Sequence, residues 1–438
     1  MGNEINSEGE VSFLGAVAIG VGGMVGGGIF AVLGLATVLA GGATPFAFLI
    51  AGIVALLTAY AYAKLSVAYP DDGGTIIFID KAFGINWFTG SVNNLLWIGY
   101  IVTLALYAVA FGNYAATFLP QSLQTTLVSH LLISLGILLP TILNLLSAAI
   151  VSKTETYVVV IKLAILILII MLGFSSVDTT RLAPSTWQPL LQIVSAGMII
   201  FVAFEGFELI ANTATTVKNY KVTLPRAYYF SVLFVIVLYV LIAIVVVGSL
   251  APDTIASSQD FALAEAAKPS LGQFGFSLVG FAAVLATLSA INSTLYGSAR
   301  LSYAIATEGE LPVALERKVW NQPIGLLITA GAALLLANSA DLSSISTMGS
   351  ASFLIIFALV NLANFVKANE IGSNKLIALS GVLACLIALL ALLSHTLQQN
   401  ASQLWILLGL IGLAAAIEGG YILYLRREGK TQRIQSVQ

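Results

Sequence analysis

The chain alternates long apolar runs with short polar connections along its whole length. A run of about 20 residues rises far enough as a helix to cross a bilayer. Hydropathy predicts twelve such spans. They lie at about 12–39, 45–69, 87–118, 128–149, 154–174, 189–214, 226–250, 274–306, 323–338, 344–367, 375–396 and 402–425. Between spans 2 and 3 the turn residues PDDGG precede IIFIDKAFG, which suits a short helix lying in the interface. The connection at about 251–272 is polar enough to lie outside the hydrocarbon core.

Two spans break this pattern from within. Span 1 contains AIGVGGMVGGGIF, with five glycines between Gly22 and Gly28. Glycine costs about 1 kcal/mol relative to alanine inside a helix, so such a cluster is not ordinary helix. Bare backbone at that depth must be satisfied by protein, by water or by a bound solute. Two readings stand: close helix packing by small residues, as in GxxxG contacts, or a broken helix whose free amides favour an anion. Span 6 contains FVAFEGFELIAN, where Gly206 and the carboxyls of Glu205 and Glu208 interrupt the run. Carboxyls at membrane depth are protonated, paired or turned to a watery cavity. For Glu208, a hydrogen-bonded structural role and a functional one stand side by side. Two interrupted spans five apart fit a pair of inverted repeats around a site at mid-membrane. That division gives repeats at about 12–174 and 189–368 within a ten-helix core at 12–368. It leaves peripheral spans at about 369–425 and tails at about 1–11 and 426–438.

One basic residue lies inside a span. Lys162, in VVVIKLAILILII, is about 12 Å past the start of span 5 at 1.5 Å per residue. That is deep for a lysine snorkelling to headgroups, so Lys162 is a functional candidate. The other basic residues sort by side. Lys64, Lys81, Lys153, Lys218, Lys221, Arg226, Arg300, Arg317, Lys318, Lys367 and Lys375 fall on one face, joined by Arg426, Arg427, Lys430 and Arg433 of the tail. Arg181 and Lys268 fall on the other. The positive-inside rule then places both termini in the cytoplasm and requires an even number of spans.

Composition narrows the class. The 438 residues are 59% hydrophobic and 9% charged, far from a soluble domain. MGNEINSEGE has no basic n-region, so span 1 itself is expected to direct insertion. One cysteine, Cys385, excludes a disulfide within the chain, and His130 and His395 lie too far apart in sequence for a metal cluster. No metal, cofactor or nucleic acid is expected. There is no His/Asp pair, nucleophile elbow or phosphate-binding loop, and the glycines lack the strand-to-helix setting of a dinucleotide site. A membrane-embedded enzyme is therefore a distant alternative. A channel would need a pore loop that the sequence does not repeat.

Four stretches together carry a resemblance: GVGGMVGGGIF, FVAFEGFE, NYKVTLPRA and LSAINSTLYGSARLSYAIATEGELP. In these the chain resembles the amino acid–polyamine–organocation (APC) superfamily of transporters. It is most similar to prokaryotic proton-coupled broad-range amino acid transporters, and in span 6 to arginine/agmatine exchangers. The resemblance implies an all-α fold of the leucine-transporter-like kind, with five-plus-five inverted repeats and broken helices 1 and 6. It implies a secondary amino acid transporter of the cell membrane, a proton symporter or else an exchanger of an amino acid for an amine, acting as monomer or homodimer. It implies that the amides of Gly26, Gly27 and Gly28 take the substrate carboxylate, and that carbonyls of Met24, Val25, Phe204 and Glu205, beside Gly206, take its ammonium. It implies that Lys162, with the Gly22 carbonyl and the Ser289 hydroxyl, stands where sodium-driven relatives hold sodium. Phe207, Glu208, Tyr107, Asn113 and Asn292 are candidates to gate or line the pocket. Glu205 departs from the pattern. It is open to favouring cationic substrates, holding the substrate amine, carrying a proton or pairing structurally. Gly27 and Gly28 depart as well, standing where relatives often carry a serine.

Overall fold

In lipid a backbone must satisfy its own polar groups, and apolar runs of this length do so as helices. The computed structural model describes residues 10–427, except 147, 308, 320, 321 and 400. The tails beyond these limits, with Lys430 and Arg433, lie outside the described residues, as does the side chain of Lys153.

The predicted spans appear as helix 2 (Thr44–Ala68), helix 3 (Trp87–Ala116), helix 4 (Thr126–Leu146), helix 5 (Ala148–Gly173), helix 7 (Tyr220–Ser249) and helix 8 (Lys268–Thr307, bent at Gly272). Helix 10 (Leu342–Val366), helix 11 (Lys375–Gln399) and helix 12 (Ala401–Arg427) follow. Among the described residues, nine helices, and two bent pairs if each is one span, are long and apolar enough to cross a membrane. Helix 9 (Gly325–Ser339) is apolar but has 15 residues, short of the usual crossing length. The expected interfacial helix is Thr75–Phe83. The chain is thus an all-α polytopic membrane protein.

Helix 3 is the central post, enclosed almost throughout, whereas helices 4, 5, 11 and 12 turn most of their surface outward. Asn86 caps the start of helix 3 by accepting from the Phe88 amide at 2.8 Å. Its neighbours Asn93 and Asn94 then tie in other elements. Asn93 donates to Glu310 at 2.6 Å, and Asn94 donates to Glu418 of helix 12 at 3.3 Å. Glu418, a buried charge that sequence leaves without a role, therefore holds helix 12 against helix 3. Tyr62 of helix 2 anchors an aromatic cluster with Phe207, Tyr228 and Phe357, at centroid distances of 5.6, 6.1 and 5.8 Å.

The connection after helix 7 carries short helices, Pro252–Ser257 and Ala262–Glu265, with Ala262, Leu263 and Ala264 buried. It lies on the helix that begins at Gly28, where Gly34 presents no side chain against the Gln259 backbone. Four alanines and Leu263 between 262 and 267 supply the apolar face. At the other end, Val11 donates to the Thr216 carbonyl at 3.0 Å and accepts from the Lys218 amide at 2.9 Å. The start of the first helix is thereby stitched to the segment after the sixth.

Candidate functional site

Helix 1 is two helices. Helix 1a (Phe13–Met24) and helix 1b (Gly28–Ala40) are bent 46° apart. Val25 makes the last bond of the first, its amide donating to Val21 at 2.8 Å. The carbonyl of Gly27 opens the second by accepting from Ala31 at 2.9 Å. Between them, the amides of Gly26 and Gly27 have no protein acceptor among the described residues. Both residues are buried. Buried amides without partners are rare, and at the start of a helix they favour an anion.

The glycines also do what close packing asks. A Cβ on Gly23 would fall 2.8 Å from the Gly206 carbonyl oxygen, so the two breaks meet backbone to backbone. A Cβ on Gly28 would fall 2.9 Å from the Ala203 Cα, and one on Gly26 2.9 Å from the Ala290 methyl. The Tyr107 ring lies flat along Gly27, with its Cγ 2.8 Å from where a Cβ would be. The two sequence readings of the cluster are therefore both realised: the small residues seat the break against its neighbours.

Helix 6 breaks differently. Helix 6a (Leu190–Ile199) passes into a 3-10 turn, Phe201–Phe204, then extended Glu205, Gly206 at φ 120, and helix 6b, a 3-10 helix over Phe207–Thr213. The bend is 51°. Only glycine takes that φ readily. Here the loosened backbone finds partners. Ser346 and Ser350 of helix 10 donate to the Ile199 carbonyl at 2.6 and 2.7 Å, and Ser350 accepts from the Val202 amide at 2.9 Å. Glu208 accepts from the Gly206 amide at 2.7 Å, and Tyr100 donates to the same carboxyl at 3.2 Å. Tyr107 donates to Glu205 at 3.3 Å. Tyr239 of helix 7 joins the two breaks, its hydroxyl lying 2.7 Å from the Met24 carbonyl and 3.1 Å from that of Ala203.

Lys162 does not reach for the headgroups. It is buried, and its ammonium donates to the Gly22 carbonyl at 3.0 Å. Val159, one turn earlier on helix 5, lies where Gly22 would otherwise carry a side chain. The absent Cβ of Gly22 is what lets helix 5 approach.

The structure thus brings Met24, Val25, Gly26, Gly27, Gly28, Ala203, Phe204, Glu205, Gly206 and Tyr107 around one junction, and Lys162 to Gly22. Four candidates stand elsewhere. No hydrogen bond from Lys162 to the Ser289 hydroxyl is among the described contacts; Ser289 is half-buried beside Ala290. Asn292 is bound by the Asn144 amide at 2.6 Å, bridging helices 4 and 8. It lies two residues past Ala290, about 200° round the helix and away from the break. Asn113 lies six residues past Tyr107, about 9 Å along and 120° round helix 3. Phe207 packs into the aromatic cluster, 5.3 Å from Phe357, while Phe204 stacks edge-on to Tyr239 at 5.2 Å.

Sequence reasoning missed Tyr239, Ser346 and Ser350. A tyrosine in the middle of VIVLYVLIAIVVV and the serine-rich start of SSISTMGSAS are polar groups within spans, which is a signal that each has a partner.

The pattern of a family described as amino acid permease matches residues 11–416. The inner membrane transport protein YbaT of Escherichia coli is 33% identical over 396 residues, covering 89% of this chain and 91% of that protein. The branched-chain amino acid permease BcaP of Bacillus subtilis is 23% identical, covering 96% and 94%. The chloroplastic cationic amino acid transporter 9 of Arabidopsis thaliana is 27% identical, covering 69% and 56%.

Proposed function

The chain belongs to the amino acid permease family of the APC superfamily, and on that premise we propose that it carries amino acids inward with protons by alternating access. Amino acid transport itself, rather than an enzymatic activity, is what the family entails. The finer reading has twelve spans in a leucine-transporter-like arrangement, inverted repeats at about 12–174 and 189–368, and both termini in the cytoplasm.

One observation carries the mechanism. Buried amides at Gly26 and Gly27 stand without a protein acceptor at the start of helix 1b. They suit the substrate carboxylate, with Gly28 opening the helix whose dipole supports them. The carbonyls of Val25, Phe204 and Glu205 then face the ammonium side of the same solute, beside those of Met24 and Ala203 that Tyr239 already holds. In this reading Tyr107 and Phe204 are the side chains that flank the solute, and Glu208 secures the turn at Gly206.

Lys162 is the coupling element in this reading. Charged, its ammonium ties helix 5 to the end of helix 1a through Gly22. Neutral, it releases that tie. A lysine reached by water from alternate sides would take a proton on one and give it up on the other. Uptake of a panel of labelled amino acids into proteoliposomes, under imposed proton and sodium gradients, tests the reading. Proton-driven uptake supports it. Uptake that requires sodium removes the role of Lys162, and counterflow of amino acid against amine without any gradient replaces symport by exchange.

A further inference from the structure

The two carboxyls at the helix 6 break serve different ends. Glu208 is engaged by backbone: it accepts from the Gly206 amide, with Tyr100 in support. Glu205 accepts instead from a side chain, the Tyr107 hydroxyl, while the Thr103 hydroxyl on the same helix donates to the Gly99 carbonyl. Neither carboxyl is in an ion pair. The ion pairs among the described residues are Arg181–Asp178, Lys268–Glu265 and Lys367–Glu370, all at span ends or in connections. The titratable groups around the two carboxyls are phenols: Tyr62 from helix 2, Tyr100 and Tyr107 from helix 3, and Tyr228 from helix 7. Lys162 approaches from helix 5 and meets helix 1 at Gly22.

We propose that Glu205 is the cation-accepting group of the transport site: it takes the positive side chain of a basic amino acid or, when the substrate is a zwitterion, a proton. The inference rests on the transport reading above and adds the substrate class to it. Placement supports it first. Tyr107 lies along Gly26 and Gly27 with its ring and donates to Glu205 with its hydroxyl. The free amides and the carboxyl are therefore one tyrosine side chain apart. A substrate whose carboxylate sits on the amides has its far end toward Glu205. The competing acceptors are also engaged, since the Met24 and Ala203 carbonyls already receive the Tyr239 hydroxyl.

Charge then decides the cargo. Two buried carboxyls at one break, with no ion pair among the described residues, do not both stay ionised, so the pair with one proton carries a single negative charge. Glu205 is 3% exposed, and a net charge left uncompensated at that depth is costly. A basic amino acid brings one positive charge and neutralises the pair. A zwitterion brings none, so a second proton must join, passing from the outer water to the Glu205 carboxyl and leaving to the inner water. Lys162 contributes equally in both cases. The prediction is one proton more per zwitterion carried than per basic amino acid.

The test uses the full-length protein in proteoliposomes loaded with a pH-sensitive dye, given labelled leucine, alanine, lysine or arginine. The expected result is uptake of both classes, with one more proton entering per leucine or alanine than per lysine or arginine. Glu205→Gln, nearly the same shape, should cut lysine and arginine uptake at least tenfold. In whatever leucine uptake remains, the extra proton should be absent. The wild-type proton counts stand without any variant, should Glu205→Gln misfold. Equal proton counts for both classes, failure of the wild type to take basic substrates, or a Glu205→Gln protein with unchanged lysine uptake overturns the proposal and leaves the transport reading intact. Uptake of no substrate in the panel would instead overturn the transport reading, and this inference with it.

Discussion

The breaks in helices 1 and 6 face each other, bend by nearly the same angle and open at glycine, yet they are satisfied in opposite ways. Helix 6 closes its own account of hydrogen bonds: serines of helix 10 take the Ile199 carbonyl and the Val202 amide, and Glu208 takes the Gly206 amide. Helix 1 leaves the amides of Gly26 and Gly27 without acceptors. A buried polar group without a partner destabilises the fold by about 1–3 kcal/mol, so it persists where something else completes it. The difference teaches a division of labour. Helix 6 has these amides fixed by side chains and offers the solute only carbonyls and the Glu205 carboxyl; helix 1 is the element whose amides remain open to the solute's carboxylate. Tyr239 holds the two together at their carbonyl ends.

The largest expected effect comes from the contact that joins the breaks. Gly206→Ala puts a side chain at φ 120 and against the backbone of Gly23 and Met24. Neither can move cheaply, and about 3 kcal/mol or more of stability should be lost. Size-exclusion chromatography and thermal melting should show no monodisperse protein. A well-folded Gly206→Ala would mean that the breaks need not touch. Next comes Lys162→Ala, which removes the tie on the helix 1 side alone. Uptake of lysine and arginine should lose its dependence on the pH gradient while the protein still folds, and uptake at the wild-type proton ratio would contradict the coupling role.

Two hydroxyls then sharpen the contrast. Ser350→Ala strands the Val202 amide and should cost about 1–3 kcal/mol in thermal stability with KM little changed, because it touches scaffold. Tyr239→Phe frees the Met24 and Ala203 carbonyls at the junction itself. It should lower stability by about 1–1.5 kcal/mol and also shift KM for uptake severalfold. If both variants change stability alone, the division of labour fails. The smallest effect is expected from Asn144→Ala, which loses the bridge to Asn292 away from the break. About 1 kcal/mol of stability should go, with kinetics unchanged.

The helix boundaries and both breaks were legible because each rests on local chemistry. Length and hydropathy mark a span, and glycines or carboxyls inside one mark a fault in it. The spacing of Lys162 from the start of its span was enough to predict that it stays inside, where the structure has it. What could not be read was which distant group meets which fault. Tyr239 reaches Met24 across 215 positions and Ser350 reaches Val202 across 148, and no periodicity along one helix encodes the partner on another. The same limit explains Asn292. Its residue type and depth resembled those of a pocket residue, while its direction, set by helix phase relative to Ala290, points to helix 4.

Hydrogen–deuterium exchange read at single glycine amides tests the central claim most directly. The protein is compared alone and with a saturating mixture of leucine, alanine, lysine and arginine. The amides of Gly26 and Gly27 should slow at least tenfold when the mixture is added, while those of Val202 and Gly206, already bonded within the protein, should hold their rates. Slowing at Val202 and Gly206 with none at Gly26 and Gly27 would contradict the account and make helix 6 the element that receives the solute.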